Sequence, residues 1–439
     1  MKDDIEESFK KASLAHQEGR LAEAEKAYLD MLTDNPDSGS ALNALGTVYL
    51  DQCQTDKAKK VFEKAANLNP PHLSACYNLG RLKQVEKDYN GAIDIYSAIV
   101  KQEPRFGLAW NNLGVAYREV GEPDEAISCF RRAVAFAPDL AEAWNNLGVA
   151  QDEFHLIENA SRSYKKAIEI KPDYTTAHFN LGVSLQKLEQ FKDAEYHYNK
   201  VLEINPDDEA ARFMLQSLGR ATPPDAVPAQ HVRRIFDQCA GTFEKILVNE
   251  LEYKTPELLF NLVSSYLTKE MVVLDLGCGT GLGSQFYRPY AKSLIGVDVS
   301  SKMLQKAQEK NIYDELMVFD ILQDWDFPTP FDLIYSSDVF VYFGNLDPIF
   351  QSISSNLVCG GIIALSVEKL EDNSTGYQLF PSGRYAHTQE YIENCLRHHG
   401  LEPVEKSESI IRKQSGKDVE GFLIVAKKTP VFPDIRSKR

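Results

Sequence analysis

Two periods divide the chain. Through the first half, small and apolar residues return every 34 positions; in the second half, short apolar runs alternate with amphipathic stretches. Pro36, Pro70, Pro104, Pro138, Pro172 and Pro206 stand 34 residues apart. Gly46, Gly80, Gly114, Gly148 and Gly182 lie 24 places before five of these prolines, and Ala12 takes the glycine's place in the first copy. Ala24, Ala58, Ala92, Ala126, Ala160 and Ala194 lie 12 places before them, and Tyr28, Phe62, Tyr96, Phe130, Tyr164 and Tyr198 lie 8 places before. A small residue on each of two helices lets them approach closely, an aromatic ring fills the space beside them, and proline ends the second helix. The pattern predicts six helix pairs over about residues 5–208, closed by a capping helix from Asp207 to Leu218.

Residues 221–230 hold three prolines and little to bury, which predicts a stiff linker and domain boundary. Helical patterns follow in Val232–Leu251 and Pro256–Leu267. From Met271 the apolar runs Met271–Leu276, Ser293–Val297, Glu315–Phe319, Phe331–Ser336 and Ile362–Val367 alternate with helical stretches such as Lys302–Lys310. That alternation predicts a mostly parallel sheet with helices on both faces. Gly421–Lys427 reads as a late strand, and the polar, basic tail 429–439 is assigned no structure.

Composition narrows the chemistry. A chain of 439 residues with 43% apolar and 26% charged residues is globular and large enough for more than one domain. A net charge of -16 argues against an extended nucleic-acid partner, because binding a phosphate backbone rests on clustered Lys and Arg. The seven cysteines are dispersed with no C-x-x-C pair, which fits reduced thiols rather than disulfides or a metal site. The start, Met1 to Glu7, lacks the basic and apolar regions of a signal peptide, and no run approaches the roughly 18 apolar residues that span a bilayer. The expected compartment is the cytoplasm, with no metal and no membrane span.

The candidate chemistry lies in Val272-Val273-Leu274-Asp275-Leu276-Gly277-Cys278-Gly279-Thr280-Gly281. A dinucleotide fingerprint needs glycines spaced G-x-G-x-x-G to bring a helix N-terminus to a pyrophosphate. Here the third place falls on Leu282, and glycine recurs at every second residue from Gly277 to Gly283. A carboxylate two residues before the first glycine suits a ligand without phosphates that carries positive charge. Asp298, 21 residues past Gly277, can accept hydrogen bonds from both ribose hydroxyls. The pattern D-x-G-x-G-x-G resembles motif I of class I methyltransferases, whose ligand is S-adenosylmethionine (SAM). The resemblance places Asp275, Gly277, Cys278, Gly279, Gly281, Asp298, Met303, Asp320, Ile321 and Ser336 around SAM, with Asp320 toward the adenine amino group and Ile321 against its ring. Methyl transfer asks chiefly for alignment of the acceptor, and a base is needed only for an acceptor that arrives protonated. Asp338, Tyr342 and His387 are the candidates for that role. No Asn/Asp-Pro-Pro-Tyr/Phe sequence is present, which weakens a nucleobase as acceptor.

The repeated half is identified as six tetratricopeptide repeats (TPRs). The fold class expected is therefore an all-α TPR superhelix followed by an α/β, Rossmann-like class I methyltransferase domain. The expected division is repeats and cap over 1–220, linker over 221–230, leading helices over 231–268, SAM-binding core over 269–428 and tail over 429–439. The segments Val232–Asp237, Glu252–Leu259, Asp338–Leu346 and Pro381–His387 resemble those of bacterial methyltransferases that carry TPRs. In that family an aromatic usually stands two places after the Phe-Asp pair, where this chain has Cys239, so a smaller lid is expected. Gly383–His387 falls between strands, where related folds put acceptor-binding loops, which makes Arg384, Tyr385 and His387 candidates for contact with the acceptor. Asn78, Asn112, Asn146 and Asn180, each two places before a repeat glycine, resemble the asparagine ladder with which O-GlcNAc transferase grips peptide backbones. An amide both donates and accepts, so it suits a backbone of any sequence; it equally suits bonds between repeats. Two functional readings follow: repeats that recruit a protein or peptide for methylation, or a small-molecule methyltransferase or non-catalytic SAM binder that the repeats dock in a complex.

Overall fold

The computed structural model describes residues 2–241, 243–244, 247, 252–371, 376–414 and 417–430. The tail from 431 and part of the helical stretch expected over 232–251 lie outside the described residues. The chain divides into two compact units after Ala177, and not at the proline segment.

The first unit is built of paired helices, from α1 (Lys2–Gln17) and α2 (Leu21–Asp34) through α3 (Gly39–Asp51), α4 (Thr55–Ala66), α5 (Leu73–Val85), α6 (Tyr89–Gln102), α7 (Gly107–Val120), α8 (Pro123–Phe136), α9 (Ala141–Glu153) and α10 (Ile157–Ile170). The columns of small and aromatic residues set the spacing. Ala24, Ala58, Ala92 and Ala160 are completely buried, as are the rings of Phe62, Tyr96 and Phe130. Each repeat glycine lies against the ring sixteen places on: a Cβ at Gly148 would stand 2.5 Å from Tyr164 Cε1, and one at Gly46 would stand 2.3 Å from Phe62 Cε1. Only a missing side chain lets the second helix's ring sit on the first helix's backbone.

The second unit begins at His178 and takes in the last helices of the repeat array, α12 (Phe191–Ile204) and α13 (Glu209–Ser217), with most of α11 (Thr175–Lys187). They pack on α14 (Ala229–Cys239): the Arg234 guanidinium lies 3.8 Å from the Phe179 ring centroid, and Phe213 and His231 rings are 5.5 Å apart. Segment 221–230 is accordingly no free spacer. Val227 is buried and its N–H donates to the Tyr342 carbonyl at 2.8 Å, Gly344 N–H donates to the Asp225 carbonyl at 2.7 Å, and the Tyr385 hydroxyl donates to the Pro224 carbonyl. Stiff proline backbone costs little entropy to lay along a surface, so it docks readily.

The sheet runs β1 (Met271–Leu276), β2 (Ala291–Asp298), β3 (Glu315–Val318), β4 (Phe331–Ser336) and β5 (Leu357–Lys369) in the spatial order β3-β2-β1-β4-β5, all parallel. Central strands buried on both faces read as unbroken apolar runs, as Met271–Leu276 does. Val273, Leu294, Leu333 and Ile362 pack on one face, and Leu274, Ile295, Ile334 and Ile363 on the other, which is the alternation of a pleated strand. Three strands lie outside the predicted set: β6 (Tyr377–Leu379), β7 (Tyr385–His387) and β8 (Leu401–Gln414). The late strand, β9 (Lys417–Lys428), lies antiparallel between β5 and β8, so β8 takes the edge.

Candidate active site

Strands β1, β2 and β4 end side by side, with Leu276 paired to Val297 and Asp275 to Tyr335. Their carboxyl ends open into a cleft of ≈ 1180 Å³, counted out to its mouth, which is where open parallel sheets hold ligands. The chain leaves β1 through Gly277, at φ 78, where a Cβ would stand 2.3 Å from Val339 Cγ2. Asp275 is buried at the base of this turn. The Tyr313 hydroxyl donates to its Oδ2 at 2.6 Å, and the Tyr335 hydroxyl donates to the same oxygen. Burial pushes its carboxyl up to about 7, against the two tyrosine bonds that pull it down. Asp298, at the end of β2, accepts Gly279 N–H on Oδ2 at 2.9 Å and Ser300 N–H on Oδ1 at 2.8 Å, and burial raises it to about 6. A buried acid and a half-buried one, their ionised forms held back by desolvation, are poised for a positively charged ligand.

Asp275, Gly277, Cys278, Gly279, Asp298, Asp320 and Ile321 all line this cleft. Met303 and Ser336 do not. Met303 is fully buried on α15 (Ser301–Glu309), where an apolar side chain serves the core. The Ser336 hydroxyl donates to the Leu276 carbonyl at 2.8 Å and so ties β4 to β1. Gly281 lies beside the cleft, backed by the Tyr313 ring. Two lining hydroxyls, Thr280 Oγ1 and Ser337 Oγ, are buried with no hydrogen-bond partner among the described residues. Buried polar atoms are normally paired, so both are ready for a ligand's polar groups. The residues present therefore fit SAM: an acid for its amino group, a second acid for the ribose, bare backbone between them and an apolar wall at Ile321.

The far end of the cleft holds Asp338, Tyr342 and Arg384, joined to two groups that no local sequence signal reveals. Arg412, on β8 and 2% exposed, donates to Asp338 Oδ1 at 2.6 Å and to Glu368. Arg384 stands 3.5 Å from both Asp338 and Glu368, with its guanidinium 5.8 Å from the Tyr342 ring centroid. Asp338 is thus an ion-pair partner, and burial raises the Tyr342 phenol, so neither is a ready proton acceptor. His387 does not line the cleft. It is fully buried on β7, Nε2 bonded to the Phe343 carbonyl at 2.9 Å, and desolvation lowers it to about 4. Tyr385 is equally buried and holds Pro224. The split falls at the start of the strand: Arg384 precedes β7, whose residues Tyr385, Ala386 and His387 are all buried. Cys239 does leave a smaller side chain, but Phe236 and Phe243 line the mouth, their rings 5.7 Å apart at 80°.

On the repeats, the asparagine column bonds across copies. Asn78 Nδ2 donates to Asn43 Oδ1 at 3.0 Å, Asn112 Nδ2 to the Tyr77 hydroxyl at 3.1 Å, and Asn146 Nδ2 to Asn111 Oδ1 at 3.0 Å. All three are half-buried; Asn180, also half-buried, belongs to the second unit. Among the described residues no helix is long and apolar enough to cross a membrane.

Comparison with known proteins agrees with this architecture. A methyltransferase-domain profile matches residues 273–361, and TPR profiles match 15–82, 107–140, 157–189 and 175–208. A malonyl-[acyl-carrier protein] O-methyltransferase of Hamiltonella defensa is 25% identical over 144 residues, 32% of this chain and 54% of that protein. A protein of Saccharomyces cerevisiae named as a probable SAM-dependent methyltransferase is 30% identical over 131 residues, 28% of this chain and 44% of that one. The chain spans about half the length of the curated relatives it matches. Since these include yeast proteins, the resemblance is not confined to bacteria. Among solved structures, the TPR protein YrrB is 20% identical with a TM-score of 0.37, covering 43% of this chain and 97% of its own. A SAM-dependent methyltransferase from Clostridium acetobutylicum is 20% identical with a TM-score of 0.35, covering 45% and 100%. The chain carries tetratricopeptide repeats followed by a methyltransferase domain homologous to proteins named as SAM-dependent methyltransferases.

Proposed function

We propose that this protein is a SAM-dependent methyltransferase whose repeats recruit a protein or peptide that is, or carries, the methyl acceptor, acting in the cytoplasm. The observation that carries the reading is the pairing of buried Asp275 with Asp298 across the bare Gly277–Gly281 turn. SAM would supply a methyl group already attached to a good leaving group. The chain's own part is to bind and align. Asp275 would hold positive charge, Asp298, which fixes the turn through Gly279 N–H, would hold the ribose, and Asp320 and Ile321 would flank the adenine. Phe236, Phe243 and Tyr342 close an aromatic wall that excludes water.

Recruitment by the repeats is supported by the repeat array itself. In its half-buried asparagine column the amides bond between copies and Asn112 Oδ1 accepts from Asn111 Nδ2 at 3.2 Å, which leaves Asn78 and Asn146 Oδ1 as the acceptors for a peptide N–H. The relatives named malonyl-[acyl-carrier protein] O-methyltransferase act, as their name states, on an acceptor that a protein carries. The test is transfer of label from methyl-labelled SAM into the macromolecular fraction of a lysate, by wild type and by the triple variant Asn78→Ala, Asn112→Ala, Asn146→Ala. The reading expects macromolecular labelling that falls at least several-fold in the variant while SAM affinity is unchanged. Label confined to small metabolites, equal in both proteins, would refute recruitment.

A further inference from the structure

Among the described residues, the Arg384 end of the cleft combines one cation with carboxylates that are already ion-paired, and that combination restricts the acceptor. Arg384 is the only positively charged residue among the described residues that line the cleft. Its ties to the protein are long, both through Nη1 at 3.5 Å, because Arg412 already binds Asp338 and Glu368 closely. Within this cluster the two arginines balance Asp338 and Glu368, so those two carboxylates are already neutralised where an anion would meet Arg384. The surrounding Phe236, Tyr253, Tyr342 and Phe343 make the end apolar, where a guanidinium's pull on an anion is strongest.

Among the described residues, the candidate bases beside Arg384 are already engaged, and the other acids of the cleft, Asp275, Asp298 and Asp320, belong to the part read as the SAM site. Asp338 is held by Arg412 at 2.6 Å, Tyr342 is a half-buried phenol whose ionised form desolvation disfavours, and His387 is sealed away from the cleft. An alcohol or an alkylammonium would have to lose a proton before or during transfer; a carboxylate would not.

We propose that the methyl acceptor presents a carboxylate to Arg384 and that the product is a methyl ester. The inference rests on reading the cleft as a SAM site. The chemistry balances without a base: a carboxylate oxygen gives a lone pair to the methyl carbon as the carbon–sulfur bond breaks, its electron pair leaving on sulfur. The carboxylate's negative charge and the sulfonium's positive charge disappear together, and no proton is left to carry away.

Esters and other methyl products separate chemically. Wild-type protein is incubated with methyl-labelled SAM and a cell lysate, and the labelled product is treated with mild alkali. An ester releases its label as volatile methanol, whereas N-, S- and C-methyl groups keep theirs. In parallel, S-adenosylhomocysteine is titrated into wild type, Arg384→Gln and Arg384→Lys. The expected result is alkali-labile label that falls at least tenfold with Arg384→Gln and less with Arg384→Lys, with S-adenosylhomocysteine affinity within about threefold of wild type in both. Alkali-stable label overturns the carboxylate acceptor and leaves the SAM site standing. Loss of S-adenosylhomocysteine binding on Arg384→Gln, with Arg384→Lys still binding, assigns Arg384 to the donor and overturns the proposal. Failure of wild type to bind S-adenosylhomocysteine, or binding without any transfer, overturns the enzyme reading itself.

Discussion

Gln186, on the last repeat's first helix, donates its side-chain amide to the carbonyl of Pro381, three residues before Arg384. The same amide reaches Ser217 Oγ at 3.3 Å, and its oxygen accepts from the Tyr198 hydroxyl at 2.8 Å. Phe213 backs the turn at Gly383, whose φ is 75. The end of the repeat array is thus built into the loop that delivers Arg384 to the cleft. Replacing Gln186 with Ala strands a buried hydroxyl and a backbone carbonyl, at a cost of about 1–3 kcal/mol. The expected result is faster amide hydrogen exchange across 380–384 with SAM affinity unchanged; unchanged exchange would show that the amide does not hold the loop.

Repeat glycines admit no side chain. Gly148→Ala puts a methyl 2.5 Å from the Tyr164 ring, inside any real contact distance. Overpacking of this kind costs about 1–3 kcal/mol. The variant is expected to melt several degrees lower than wild type, and Gly148→Ala combined with Tyr164→Leu is expected to lose less than the two changes summed. Strict additivity would contradict the packing account.

These columns were legible because repetition made one local requirement visible many times over. Asp275 and Asp298 were legible because a turn and a strand end fix them locally. The rest of the site is assembled from distant sequence. Arg412 meets Asp338 from 74 residues away, and Tyr313 reaches Asp275 across 38. No periodicity signals such a pair. His387 and Tyr385 misled for a related reason: Gly383–His387 reads as a segment between strands, but its last three residues are a strand buried throughout, while Arg384, just before it, meets the cleft. Strand β8 went unread because Leu401–Gln414 is an edge strand rich in Glu, Lys and Ser, which blunt an exposed edge but carry little strand signal.

The two acids of the cleft predict how pH acts. Asp275 and Asp298 have their folded values raised to about 7 and about 6 from an ordinary 3.8. An acid raised in the folded state favours folding fully below its unfolded value, and that contribution fades as pH climbs through the folded value. Without ligand, stability is expected to decline between about pH 4 and 7 from these groups, an effect that Asp275→Asn removes in part. A cationic ligand wants both acids ionised. SAM affinity is therefore expected to rise as pH passes from about 5.5 to 8, by up to about tenfold per unit for each proton released, and then level off. An affinity flat across that range would contradict a charged contact at Asp275.

The most direct measurement is calorimetric titration of SAM into wild type and Asp298→Ala at pH 8. Wild type is predicted to bind SAM saturably, with S-adenosylhomocysteine competing for the same site. Asp298→Ala loses the ribose acceptor and the carboxylate that fixes Gly279 N–H, and is predicted to bind at least tenfold more weakly. Wild type that shows no saturable binding, or a variant that binds as tightly as wild type, would contradict the account.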